Sequence, residues 1–115
     1  MQLVELAYFT DEVGRMADFY SSLLGIAPVA RSDGMASFVV GTTKIFIHQR
    51  GSPSQGELPP ENHTALAVTG VDAAVQQLVA SGITVEIPPR DYYWGRSAYL
   101  RDPDGHLIEL IQVST

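Results

Sequence analysis

The chain contains no cysteine. Disulfides, a thiolate nucleophile and a thiolate metal site are all excluded. A transition metal would need His, Asp, Glu or water as its ligands. Positive charge is also scarce, with seven Lys and Arg against thirteen Asp and Glu, a net charge of −6. The seven are scattered and form no basic stripe, which argues against a nucleic-acid partner. No apolar run approaches the roughly 20 residues that span a bilayer, so no membrane association is expected. The N-terminus, MQLVELAYFTDE, lacks a positive segment followed by an apolar core, so a cytoplasmic location is the expectation. What remains is 115 residues, 45% hydrophobic and 17% charged, enough for one folded domain with a real core.

Periodicity divides the chain into two similar halves. Gln2–Thr10 is apolar and partly alternating, which predicts a strand. Asp11–Leu24 places Val13, Met16, Ala17, Tyr20, Leu23 and Leu24 at spacings of three and four. That predicts a helix, with Thr10 and Asp11 as caps and Gly25 as its stop. Strands are predicted at Ala27–Arg31, Met35–Val40 and Lys44–Gln49. In the second half, His63–Val68 reads as a strand and Val71–Ala80 as a helix stopped at Gly82. Strands follow at Ile83–Ile87, Arg96–Leu100 and Leu107–Val113. The turn Asp102-Pro103-Asp104-Gly105 precedes the last one.

The chain thus reads as two βαβββ modules, 1–50 and 63–115, joined by a Pro/Gly/Ser/Glu linker over 51–62. The fold class is α+β. Superposing the halves puts Glu5 on His63. An offset of 61 residues puts Lys44–His48 on Gly105–Glu109, and so His48 on Glu109. A shift of two positions would put Phe46 there instead and leave three polar residues. Side chains alternate across a strand, so Glu5 shares a face with Ala7, and His63 with Ala65. Two carboxylates and two imidazoles at repeat-related positions form a donor set for one divalent metal: Zn, Ni, Fe, Mn or Co. Burying them without a metal, a ligand or mutual hydrogen bonds would be costly.

The segment Pro88–Arg96, PPRDYYWGR, groups two prolines, two tyrosines and the single Trp. It reads as a loop. One reading makes the segment the wall of a substrate pocket, with Tyr92, Tyr93 and Trp94 stacking on a ligand and Arg96 or Arg90 holding an anion. The other makes them a cover for an open end or a dimer contact.

Two blocks carry a family resemblance. They are Asp18-Phe19-Tyr20 with Leu24-Gly25, and the more specific Asp102-Pro103-Asp104-Gly105-His106-Leu107-Ile108-Glu109-Leu110. Together they resemble the vicinal oxygen chelate superfamily of glyoxalases, bleomycin-resistance proteins and extradiol dioxygenases. The resemblance spans essentially the whole chain. It implies two modules whose curved mixed sheets surround a cleft, and pairing as a homodimer. It implies metal ligands on the first and last strands of each module, here Glu5, His48, His63 and Glu109. It further implies catalytic roles for Glu5 and Glu109, with Glu5 as the proton-shuttling base.

The function so implied is a divalent-metal-dependent lyase, isomerase or dioxygenase acting on a small oxygenated substrate. The alternative is a metal-free protein that binds a small molecule, in the manner of the antibiotic-sequestering bleomycin-resistance proteins.

Overall fold

The computed structural model describes residues 1–51 and 61–113. Most of the expected linker, 52–60, lies outside the described residues. The chain is α+β, and the described residues form eight strands and two helices in the order βαβββ–βαβββ. No helix among the described residues is long and apolar enough to cross a membrane. The chain divides into two compact units. One is Glu5–Asn62, and the other is Met1–Val4 together with His63–Thr115.

The first unit contains β1 (Gln2–Thr10, from Glu5 onward), α1 (Val13–Leu24), β2 (Ala30–Arg31), β3 (Met35–Val40) and β4 (Thr43–Gln49). Its strand order is β2-β3-β4-β1, with β1 and β4 parallel and the others antiparallel. The helix starts two residues later than the sequence suggests. Thr10 Oγ1 accepts a hydrogen bond from Glu12 N at 3.0 Å, while Asp11 pairs with Arg50 at 3.2 Å. Gly25 ends the helix in the left-handed conformation, φ 69°, as its position predicts. Strand β2 has two residues, not five, because Pro28 has no N–H to give to a ladder. Val13 and Ala17 of the helix pack on Ala36, Phe38 and Ile47 of the sheet.

The second unit repeats the plan with β5 (His63–Val68), α2 (Val71–Ala80), β6 (Val85–Tyr92), β7 (Gly95–Arg101) and β8 (Leu107–Gln112). Its order is β5-β8-β7-β6, with β5 and β8 parallel. Val71 and Val75 pack on Val68, Ala98, Leu100 and Leu110. Gly70, the residue before α2, has no side chain to cap it. Gln112 of β8 supplies the acceptor instead, taking Val71 N at 3.0 Å.

Pro88–Arg96 is not a free loop. It is the end of β6, a two-residue turn at Tyr93-Trp94, and the start of β7. The two prolines are tolerated because β6 is a terminal strand in its unit's order. The register with β7 shifts between Ile87 and Arg90, where the missing N–H groups fall.

The strand register also corrects the alignment of the two halves. Ala65 pairs with Glu109, and Ala7, which matches Ala65 when Glu5 is placed on His63, pairs with Phe46. Phe46 therefore matches Glu109, and His48 matches Ile111. An ungapped alignment misses this because the β7–β8 turn, residues 102–106, is longer than the β3–β4 turn at Gly41-Thr42.

Candidate metal centre

Alternation sorts each strand of the second unit into two faces. Leu66, Val68, Ala98, Leu100, Ile108 and Leu110 meet the helix. The other face carries His63 on β5, Ser97 and Tyr99 on β7, and Glu109 on β8. Parallel pairing brings β5 and β8 side by side, with Glu109 level with Ala65 and one pleat beyond His63. That diagonal lets the two polar side chains meet. His63 Nε2 lies 3.3 Å from Glu109 Oε1, and both side chains are more than nine-tenths buried.

A buried carboxylate needs donors. Glu109 has three beside it. His63 Nε2 approaches Oε1, while Ser97 Oγ donates to Oε2 at 2.8 Å and Trp94 Nε1 donates to Oε2 at 3.2 Å. Burial pushes the Glu109 carboxyl up. The hydrogen bonds from His63 and Ser97, the charge of His63 and the Trp94 N–H together outweigh it and hold the group below the ordinary carboxylate range. Glu109 is therefore an anion at neutral pH.

Aromatic rings back this network. Tyr99 meets the His63 ring edge-on at 6.0 Å, and Tyr92 meets Tyr99 edge-on at 6.2 Å. Trp94 stacks on Tyr92 at 4.4 Å, and the Arg90 guanidinium lies over the Tyr92 ring, 5.4 Å from its centre. Tyr93 is 89% exposed at the hairpin tip, edge-on to Trp94. Arg96 is held by two carboxylates, Asp72 at 2.8 Å and Asp91 at 3.1 Å. Those hydrogen bonds raise its pKa further and lower that of Asp72.

Of the residues expected at a site, His63, Glu109 and Trp94 form one network in the second unit. Tyr92 supports it through stacking. Glu5 stands on β1 and His48 on β4, both in the first unit. His48 is half-buried between the rings of Phe9 and Phe46, and its Nδ1 lies 2.8 Å from Gln49 O. Ser97 was not anticipated. Its signal was present, since it shares strand parity with Tyr99 and is a polar residue in an otherwise buried run. A cavity of about 630 Å³ lies elsewhere, against Thr69, Gly70, Ala73 and Gln77, and shares no residue with the His63–Glu109 pair.

The His63–Glu109 pair fits a metal ion by its donor chemistry. An imidazole and a carboxylate are ligands for borderline and hard divalent ions. Two ligands of one ion with bonds of roughly 2.0–2.2 Å sit about 2.8–3.6 Å apart at right or tetrahedral angles. The observed 3.3 Å falls in that range.

A family model described as the Glyoxalase/Bleomycin resistance protein/Dioxygenase superfamily matches residues 2–110. The virulence protein STM3117 of Salmonella typhimurium is 27% identical over 93% of this chain and 81% of its own length. The metallothiol transferase FosB of Shouchella clausii is 25% identical over 91% of this chain and 75% of its own. Among solved structures, a methylmalonyl-CoA epimerase of Streptomyces coelicolor shares the fold, with a TM-score of 0.71 at 18% identity. That match covers 100% of this chain and 96% of the epimerase.

Proposed function

The chain belongs to the Glyoxalase/Bleomycin resistance protein/Dioxygenase superfamily, and from that premise we propose that it is a divalent-metal-dependent enzyme. The reaction class is a lyase, isomerase or dioxygenase step on a small molecule with neighbouring oxygens. The observation that carries this reading is the buried His63–Glu109 pair at 3.3 Å. His63 offers Nε2 and Glu109 offers Oε1, and the internal repeat adds Glu5. His48, also expected as a ligand, is not carried into this set, because the register matches Phe46, not His48, to Glu109.

A bound divalent ion would supply Lewis acidity toward the substrate oxygens. The remaining work belongs to the chain's own groups. Glu109, kept ionised, brings negative charge to the site. The Tyr99 and Tyr92 rings keep water from that side of the pair. Glu5 is the proposed general base, moving a proton at the substrate carbon. A protein named a metallothiol transferase among the relatives is in keeping with metal use. The proposed location is the cytoplasm and the proposed assembly a homodimer.

A second reading, metal-free binding of a small molecule, draws on one observation. His63, Ser97 and Trp94 already satisfy Glu109 without an ion. Metal analysis of protein purified without chelator separates the two. Stoichiometric metal that disappears in Glu109→Gln supports the enzyme. Metal-free protein that binds a small molecule equally well as Glu109→Gln supports the binder.

A further inference from the structure

Resting on the metal-centre reading, we infer that Trp94 and Ser97 are positioning residues that restrict Glu109 to one-oxygen ligation. Both donate to the same atom, Oε2, at 3.2 and 2.8 Å. Trp94 Nε1 also lies 3.2 Å from Ser97 Oγ, so the two donors are tied to each other. The other oxygen, Oε1, is the one beside His63 Nε2. A carboxylate with one oxygen doubly hydrogen-bonded presents the other as its better ligand atom. Groups that hold a ligand in this way tune both metal affinity and choice.

The clamp is held at both of its members. Trp94 sits at the two-residue hairpin tip, where its ring is fixed by stacking on Tyr92 at 4.4 Å. Ser97 is fully buried on β7. One-oxygen ligation suits small ions of low coordination number, such as zinc. Larger, oxygen-seeking ions such as manganese gain when a carboxylate can bind through both oxygens. Zinc already outcompetes manganese at most sites. The clamp widens that margin, and its loss narrows it.

The test measures dissociation constants for zinc and for manganese by competition with a chromophoric chelator. The proteins are wild type, Trp94→Phe, Ser97→Ala and Ser97→Thr, each stripped of metal first. Trp94→Phe keeps the ring stack and removes the N–H. Both Trp94→Phe and Ser97→Ala are expected to lower the manganese-to-zinc ratio of dissociation constants about tenfold, within the range for groups that orient a ligand. Ser97→Thr, which keeps the hydroxyl, restores it. Since Trp94 is the only Trp, its fluorescence reports the wild-type site directly, and zinc is expected to change it. Circular dichroism identifies a variant that fails to fold, in which case the other one decides. An unchanged ratio in folded variants that still bind metal overturns the clamp and leaves the metal centre standing. Wild-type protein that binds neither ion overturns the metal reading, and the clamp with it.

Discussion

His63 Nε2 and Glu109 Oε1 lie 3.3 Å apart although the strands that carry them pair His63 with Leu107, not with Glu109. The contact is diagonal, between residues one pleat apart on the same face. Its distance therefore depends on where the carboxylate points. That direction is set by Ser97 and Trp94 from the neighbouring strand and hairpin.

The same relationship makes an acid-stability prediction. Glu109 has its folded pKa below the ordinary 4.5. The unfolded chain therefore takes up the proton first as pH falls, and protonation draws the equilibrium toward unfolding. The stabilisation is fully present above about pH 4.5 and is lost as pH drops through the folded value. Urea unfolding across pH 3 to 7 (roughly the range over which carboxylates titrate) is expected to show a steeper acid loss for wild type than for Glu109→Gln. Equal slopes would mean that the Glu109 hydrogen bonds do not favour its ionised form.

The ligand set makes a second prediction. Glu5→Gln is expected to weaken zinc binding more than about 100-fold, beyond the range for supporting groups. His48→Ala is expected to weaken it by less than about tenfold, because the register places His48 at the match of Ile111. The same chelator competition measures both. A larger loss in His48→Ala than in Glu5→Gln would reverse that ranking.

These two predictions mark where the sequence was informative. The helix Val71–Ala80 and the strands at Gln2–Thr10 and Met35–Val40 were legible because apolar spacing and glycine stops agree there. His63 was legible as the repeat match of Glu5, and Glu109 from its place in the block Asp102–Leu110. The match of His48 to Glu109 was not reliable, since turn lengths slide one strand against another and an ungapped comparison cannot register that. The hairpin in Pro88–Arg96 was hidden because two prolines look like a loop, and their placement on a strand at the end of the order is a tertiary fact. Ser97 is marked in the sequence only by its parity with Tyr99, and its role as a donor depends on Glu109 from β8 and Trp94 from the hairpin.

The core of the second unit predicts a conventional packing loss. Leu110 is 1% exposed and lies among Val68, Val71 and Leu100. Leu110→Ala should cost about 2–5 kcal/mol, the usual range for a buried leucine left as a cavity. Its neighbour in sequence is Glu109, so the loss should be read against Leu110→Met. That variant keeps the volume and is expected to cost under about 1.5 kcal/mol in chemical denaturation.

The last prediction concerns a helix capped from a distant strand. Helix α2 begins after Gly70, which offers no side chain, and the acceptor for Val71 N is Gln112 Oε1 at 3.0 Å. Gln112→Ala leaves that N–H without its partner, and the expected cost is about 0.5–1.5 kcal/mol. Gln112→Glu keeps the acceptor oxygen and adds a negative charge beside the positive end of the helix dipole, which is favourable by about 0.3–1 kcal/mol. The two variants should therefore move the melting temperature in opposite directions from wild type. Raising salt should shrink the glutamate advantage, because the dipole contribution is screened. Equal melting temperatures for the two would show that the Gln112 contact contributes nothing to holding the start of α2.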